Sequence, residues 1–297
     1  MGIRFGRSDS DVCKTLRLKL LFKTTNNPIK AADWSQKRVW LIGASTGIGA
    51  ALALELAKLG AQLILSARKP DTLLEVANQC LQWVEKSKVM NLPFDLCDHN
   101  ALEEAIDTVH KQWGGVDLVI FNAGTYEATR VPDLSLDRIE RSLGVNLIAP
   151  MNATKLILPL MLNQPNEQPG RGFAYVASVA GYRGLPQALT YGPGKAGIIS
   201  FAESLWVDLQ SLGLNTWIIN PGFVRTRLTD KNEFKMPALI EPEEAAQAII
   251  HGFSKGHFEI HFPKRFTYFM KLLRILPLSW YLRLVKGLVP PLPKINK

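Results

Sequence analysis

Cysteine is scarce and scattered: Cys13, Cys80 and Cys97 stand far apart in 297 residues, with no CxxC pair. That spacing excludes a disulfide framework and a thiolate zinc site. The five histidines, His99, His110, His251, His257 and His261, show no ligand spacing and no matching acid cluster, so no metal is expected. No apolar run reaches the about 18 residues that a membrane-spanning helix needs. The amino terminus lacks an apolar secretory core, and Gly6 stands where a myristoylation signal wants Ser or Thr. A cytoplasmic protein is the resulting expectation.

Acidic residues are missing altogether from the carboxyl end. Residues 1–37 sum to +5, residues 38–263 to −4 and residues 264–297 to +8, so the overall +9 comes from the two ends. A mildly acidic body with basic ends does not suit a surface that tracks nucleic-acid phosphates. The inner face of a membrane is the anionic partner those ends fit, as a peripheral contact.

What the chain does have is apolar residues, 47% of the total, enough for a substantial core. From Arg38 onward, short β-rich runs alternate with stretches of helical period. Strands are predicted at Arg38–Ile42, Gln62–Ser66, Val89–Phe94, Val116–Asn122, Gly172–Ala177, Asn215–Asn220 and His257–His261, and helices at Ile48–Leu59, Ala101–Trp113, Leu134–Ala149, Lys195–Leu212 and Glu241–Phe253. Continuous apolar strands such as Val39-Trp40-Leu41-Ile42 imply burial on both faces, hence a parallel sheet covered by helices. The expected fold is α/β: a Rossmann-type doubly wound parallel seven-stranded sheet in a single domain, 38–263. Residues 1–37 form a basic extension, an appendage or an interfacial segment. Residues 264–297 form a basic amphipathic tail.

The first strand runs directly into Gly43-Ala44-Ser45-Thr46-Gly47-Ile48-Gly49, followed by a helix. Glycines at a strand-to-helix turn let backbone N–H groups and the helix N-terminus approach a pyrophosphate. No Lys-Ser or Lys-Thr follows, which disfavours a P-loop ATPase. The second strand ends Ser66-Ala67-Arg68. A site for NAD(H) would usually offer an acid there to the ribose 2′-hydroxyl, whereas Arg68 can donate to a 2′-phosphate, so NADP(H) is the expected cofactor.

Tyr191 and Lys195 are one helical turn apart. A phenol of pKa about 10 is only about 0.1% ionised at neutral pH, and a neighbouring ammonium would bring that pKa down for proton exchange with an alcohol or carbonyl oxygen. Gly192-Pro193-Gly194 stand between the two, tolerable if the helix begins close to Tyr191.

In sequence order the chain carries IGASTGIG (Ile42 to Gly49), Asp95, FNAG (Phe121 to Gly124), Asn146, Ser178, Tyr191 with Lys195, and Pro221-Gly222 with Val224 and Thr226. This series resembles the short-chain dehydrogenase/reductase family over about three quarters of the chain. The resemblance implies an oxidoreductase acting on small-molecule carbonyls and secondary alcohols. It assigns catalysis to Asn146, Ser178, Tyr191 and Lys195, with Ser178 orienting the substrate oxygen, Asn146 holding a water and Lys195 also gripping the nicotinamide ribose. It places Gly43, Ser45, Thr46, Gly47, Ile48 and Gly49 at the pyrophosphate, Asp95 and Leu96 near the adenine, Asn122, Ala123 and Gly124 beside the adenosine ribose, and Pro221, Gly222, Val224 and Thr226 along the carboxamide. A homodimer or homotetramer is implied in the same way. Two positions depart from the usual pattern: Ile42 replaces a Thr and Phe121 replaces an Asn, each losing a side-chain hydrogen bond.

The tail reads as two cationic amphipathic helices. Over Phe266 to Leu276, Thr267, Lys271 and Arg274 fall on one face, with the aromatic and aliphatic residues around the rest; Ser279, Arg283 and Lys286 repeat the arrangement after Pro277. Such helices suit a bilayer interface, or they cover the protein's own substrate pocket or a subunit contact. The apolar tail points to a lipid-like or steroid-like substrate. The rival function is a non-catalytic NADP(H)-binding sensor or scaffold at a membrane surface.

Overall fold

The computed structural model describes residues 26–164, 169–230, 236–289 and 292. Seven strands form one parallel sheet: β1 (Arg38–Ile42), β2 (Gln62–Ser66), β3 (Val89–Asn91), β4 (Leu118–Phe121), β5 (Gly172–Val176), β6 (Asn215–Pro221) and β7 (Glu259–Phe262), in the spatial order 3-2-1-4-5-6-7. The order reverses between β1 and β4, where a doubly wound sheet opens its crevice at the strands' carboxyl ends. Register carries the site residues to that edge. Ile42 lies beside both Ser66 and Phe121, so the glycine turn, Arg68 and Asn122 all leave the sheet at one level.

Helices cover both faces: α1 (Gly47–Lys58), α2 (Pro70–Cys80), α3 (His99–Trp113), α4 (Leu136–Leu143), α5 (Ala149–Leu162), α6 (Tyr191–Gln210) and α7 (Pro242–Lys255). The two-residue period of β1 divides the core. Val39 and Leu41 pack with Leu52, Leu56, Ile249 and Phe253, while Trp40 and Ile42 pack with Leu102, Val109, Phe121 and Tyr175. A central parallel strand therefore reads as unbroken apolar sequence.

Two elements differ from the sequence expectation in ways that bear on the site. The strand expected over Val89–Phe94 ends at Asn91, because Pro93 has no N–H for the ladder, although Leu92 and Phe94 still donate to Leu65 and Ala67. The helix expected over Leu134–Ala149 is instead α4, a π-helical turn at Gly144–Ile148, and then α5. Pro150 has no N–H to offer the Asn146 carbonyl one turn back, so the widened turn falls where the α ladder is already broken. By length and hydropathy Leu136–Leu162 could cross a membrane. Its residues Asn146, Ala153, Ile157 and Met161 are instead buried within the domain.

The last part of the amino-terminal extension is domain structure. Asn26 donates to the Gly256 carbonyl at 2.7 Å and to the Thr216 carbonyl at 2.6 Å, and Ile29 donates to the Phe253 carbonyl at 3.0 Å. Ile29 and Trp34 are fully buried in the core beside α7. Packing thus begins at least twelve residues before the 37/38 boundary drawn from charge, because charge counting does not see one buried indole. The remaining residues of the extension, including Cys13, lie outside the described residues.

Candidate active site

The glycine turn is dictated by close approach. Gly43 has φ +94°, and a side chain there would overlap the Ala123 backbone; one at Gly49 would overlap the Gly43 carbonyl and the Asn122 amide. Asn122 locks the arrangement by donating from its side chain to the Gly43 carbonyl at 2.7 Å, while Gly43 and Ala44 donate to the Ser66 carbonyl. Thr46, extended at the N-cap of α1, makes no side-chain cap, which leaves the first-turn N–H groups open to an anion. This tight turn, with the open N-terminus of α1 at its end, fits a dinucleotide pyrophosphate. Asn122, Ala123 and Gly124 lie against it. Thr226 reaches it too, its methyl 2.8 Å from where a Gly47 Cβ would stand.

At the end of β2, Ser66 is buried and accepts from the Trp40 indole at 2.9 Å, while Arg68 is exposed. Asp95 accepts from the Cys97 N–H at 3.0 Å, and Leu96 is buried behind it. Burial and Asp95 push the Cys97 thiol up while Arg68 opposes them, so the guanidinium and the carboxylate face one small region. Pro221 closes β6, Gly222 donates to the Phe262 carbonyl, and Val224 bridges to Ile240, which turns the loop toward Thr226.

Ser178 follows β5, and helix α6 starts at Tyr191, as the Gly-Pro-Gly sequence requires. Small residues on α6 allow a close crossing: a Cβ at Gly194 would stand 3.1 Å from Asn146, and one at Gly197 would stand 2.7 Å from Leu147. Ser178 lies near enough to the Tyr191 phenol to pull its pKa down, and its Oγ accepts from the Ala180 N–H at 3.1 Å. Lys195 is buried, donates to the Val176 carbonyl at 2.8 Å and sits 5.6 Å from the Tyr191 ring centre. A Cβ on Gly124 would lie 3.2 Å from Asn146 Oδ1 and 3.5 Å from Lys195 Nζ, so FNAG, Asn146 and Lys195 meet at one point. Asn146 is fully engaged: its amide donates to the Thr125 and Ser142 carbonyls, and its Oδ1 accepts from the Thr125 N–H.

The electrostatics of this cleft differ from the sequence expectation. Burial pushes the Tyr191 phenol up to about 12, with Ser178 pulling down and Tyr126 pushing up. Burial also brings the Lys195 ammonium down to about 8. The ammonium is engaged by the Val176 carbonyl, and burial is the leading cause of the shift in both groups. Tyr191 therefore keeps its proton at neutral pH.

The tail joins this site with part of its polar side turned inward. Its helices are α8 (Lys264–Ile275) and α9 (Leu278–Lys286). Two residues of the face expected to meet solvent or headgroups are instead spent on the body, Thr267 fully buried against His261 at 2.6 Å and Lys271 paired with Glu259 at 2.6 Å, while Arg274 stays exposed. Glu259 also accepts from Tyr182 at 2.5 Å and Asn220 at 2.8 Å. Burial alone would raise its carboxyl; hydrogen bonds from Lys271, Tyr182 and Asn220 outweigh that and hold it low. Arg183 donates to the Leu273, Arg274 and Leu276 carbonyls at the end of α8, and Tyr281 donates to the Gly184 carbonyl at 2.6 Å. Phe266 presses on Gly222. The tail thereby grips the loops that follow Ser178 and Pro221. Sequence reasoning missed these partners, although one signal was available: Glu259 is the only acid after Glu244.

A family model described as short chain dehydrogenase matches residues 37–236. An uncharacterized oxidoreductase of Myxococcus xanthus is 31% identical over 247 residues, covering 83% of this chain and 95% of that protein. A short chain dehydrogenase/reductase from Burkholderia phymatum, solved in complex with NAD, superposes with a TM-score of 0.72 at 20% identity over 86% of this chain and 98% of its own. The L-sorbose reductase of Gluconobacter frateurii, solved with NADPH and L-sorbose, gives a TM-score of 0.66 at 22% identity over 76% of this chain and 94% of its own. At such identities the two solved structures speak for the fold alone.

Proposed function

Because the chain belongs to the short chain dehydrogenase family of oxidoreductases, we propose that it moves a hydride between NADP(H) and a carbonyl or secondary alcohol on a hydrophobic, lipid-like or steroid-like molecule. One observation carries the reading: Ser178 stands close enough to Tyr191 to favour its ionised form, with Lys195 buried beside them and its ammonium next to Gly124, on the same side as the glycine turn. The bound dinucleotide supplies or accepts the hydride. Tyr191 holds the proton for the substrate oxygen, and Ser178 orients that oxygen with its hydroxyl. Lys195 keeps positive charge at the floor of the cleft, and Asn146 fixes the Thr125 backbone next to Gly124. By family likeness the enzyme works as a homodimer or homotetramer. We place it in the cytoplasm, peripheral at the inner face of a membrane.

NADP(H) is favoured over NAD(H) because Ala67 offers no carboxylate where Arg68 offers a free guanidinium. Both cofactors occur among proteins of similar fold, so this choice rests on Arg68. Arg68→Ala is expected to raise the KM for NADPH by about 10- to 100-fold, the worth of a charge-assisted hydrogen bond, while changing that for NADH little. Steady-state kinetics with both cofactors check it; equal losses with each would overturn the assignment.

Hydrophobic substrates are favoured by the tail, which walls the site with Phe266 against Gly222 and Phe223. Across a series of ketones lengthened one methylene at a time, kcat/KM is expected to rise by a few-fold per step until the pocket is filled. Preference for small polar ketones would defeat this part of the reading.

A further inference from the structure

We propose that the outward face of α8 and α9 is a docking surface for an anionic phospholipid bilayer. The proposal rests on the peripheral placement above, and names its surface and partner. Thr267 and Lys271 of α8 are used up on His261 and Glu259, and Phe266, Met270 and Leu273 pack on the body, which leaves a second set of apolar side chains on the outside. Tyr268, Phe269, Leu272 and Ile275 are exposed, Ile275 to 77%. Helix α9 touches the body through Tyr281 and Val285 and leaves Leu278, Trp280, Leu282 and Leu284 outside. A helix that packs on a core normally buries its apolar side, and so much exposed apolar surface in one place marks an interaction site.

The charge selects the occupant. Lys264 to Lys297 carries eight Lys/Arg and no acid, and Arg265, Arg274, Arg283 and Lys286 are exposed among the apolar residues. A second copy of this face would bring the same charge against itself, whereas a negatively charged bilayer offers hydrocarbon to the apolar side chains and phosphates to the cations. Trp280 and Tyr268 are the residue types that sit at headgroup level. The face is held in shape before docking, because Arg183 caps α8 and Tyr281 ties α9 to Gly184. The docked helices would lie directly against the loops around Ser178 and Gly222, which sets the reaction cleft next to the membrane.

The test is co-sedimentation of the full chain with phosphatidylcholine vesicles, with and without about a third phosphatidylserine. Wild type is expected to bind the anionic vesicles at least roughly tenfold more tightly than the neutral ones. Ile275→Glu with Leu278→Glu should lose that binding, and so should Arg283→Glu with Lys286→Glu, while both double variants keep wild-type turnover of a water-soluble ketone. Wild type that ignores lipid charge would overturn the proposal. Anionic-vesicle binding that both variants retain would place the membrane contact elsewhere and overturn this face. Light scattering that shows wild-type dimers becoming monomers in the Glu variants would assign the face to a second copy, and an acidic protein that competes with neutral and anionic vesicles alike would assign it to a protein partner; either overturns the bilayer. Loss of turnover in wild type itself would sink the reductase reading and leave the docking result standing.

Discussion

Tyr191→Phe is expected to lower kcat by about 10³-fold or more and to leave NADPH binding within a few-fold of wild type. The substitution removes one oxygen from a half-buried ring whose edge-to-face packing on Tyr126, at 5.0 Å between centres, survives intact. What disappears is the phenol proton itself, together with the oxygen whose ionised form Ser178 favours. Because that phenol is held as an acid by burial, no water in the cleft replaces it at comparable strength. NADPH consumption with a hydrophobic ketone measures the first effect, and quenching of protein fluorescence by NADPH measures the second. A variant that still turns over within tenfold of wild type would remove Tyr191 from the chemistry. Biological output that persists without turnover would favour a cofactor sensor instead.

Lys195→Met should act in two opposite directions, losing about 10²- to 10³-fold in kcat/KM and gaining stability. Burial brings the ammonium from the 10.5 of a free lysine to about 8. A positive charge kept at pH 7 therefore costs the fold about 3 kcal/mol, offset by about 1 from the hydrogen bond to the Val176 carbonyl. The methionine variant escapes the net cost of about 2 kcal/mol, worth about 5 °C in Tm. The sign with pH follows from linkage. The folded pKa lies below the unfolded one, so the penalty is complete below about pH 8 and is relieved as the pH rises from there toward 10.5. The stability gap between variant and wild type should close over that window, which thermal melts at graded pH would detect. A constant gap would mean that Lys195 titrates in the fold as it does in the unfolded chain, with no penalty from burial. Reductase activity should fall over the same range as the cleft loses its cation, while Tyr191 is still protonated.

The parts of the site that could be read from sequence are those whose chemistry is local. Glycines between a strand and a helix mean a backbone approached closely, and Gly43 and Gly49 have no room for a side chain. Gly192-Pro193-Gly194 meant a helix beginning at Tyr191, because those residues are tolerated only in a first turn. The π turn at Asn146 could not be read in this way. Its residues have an ordinary helical period; Pro150 marks where the ladder breaks, but only the tertiary structure shows that Asn146 and Leu147 there meet Gly194 and Gly197 of α6. Asn26 to Lys37 were hidden too, since nothing in their composition says that Trp34 finds Phe253 more than two hundred residues away.

The sequence by itself determined the sheet and the glycine turn that leaves its first strand, since periodicity and short-range sterics act between residues a few positions apart. Tertiary structure decided the charge state of the reacting pair and the direction in which the tail faces. Desolvation of Tyr191 and Lys195 depends on what surrounds them from distant parts of the chain. The tail's orientation turned on Glu259, His261 and Arg183, whose attraction for Thr267, Lys271 and the end of α8 outweighed the amphipathic preference written into the helix itself.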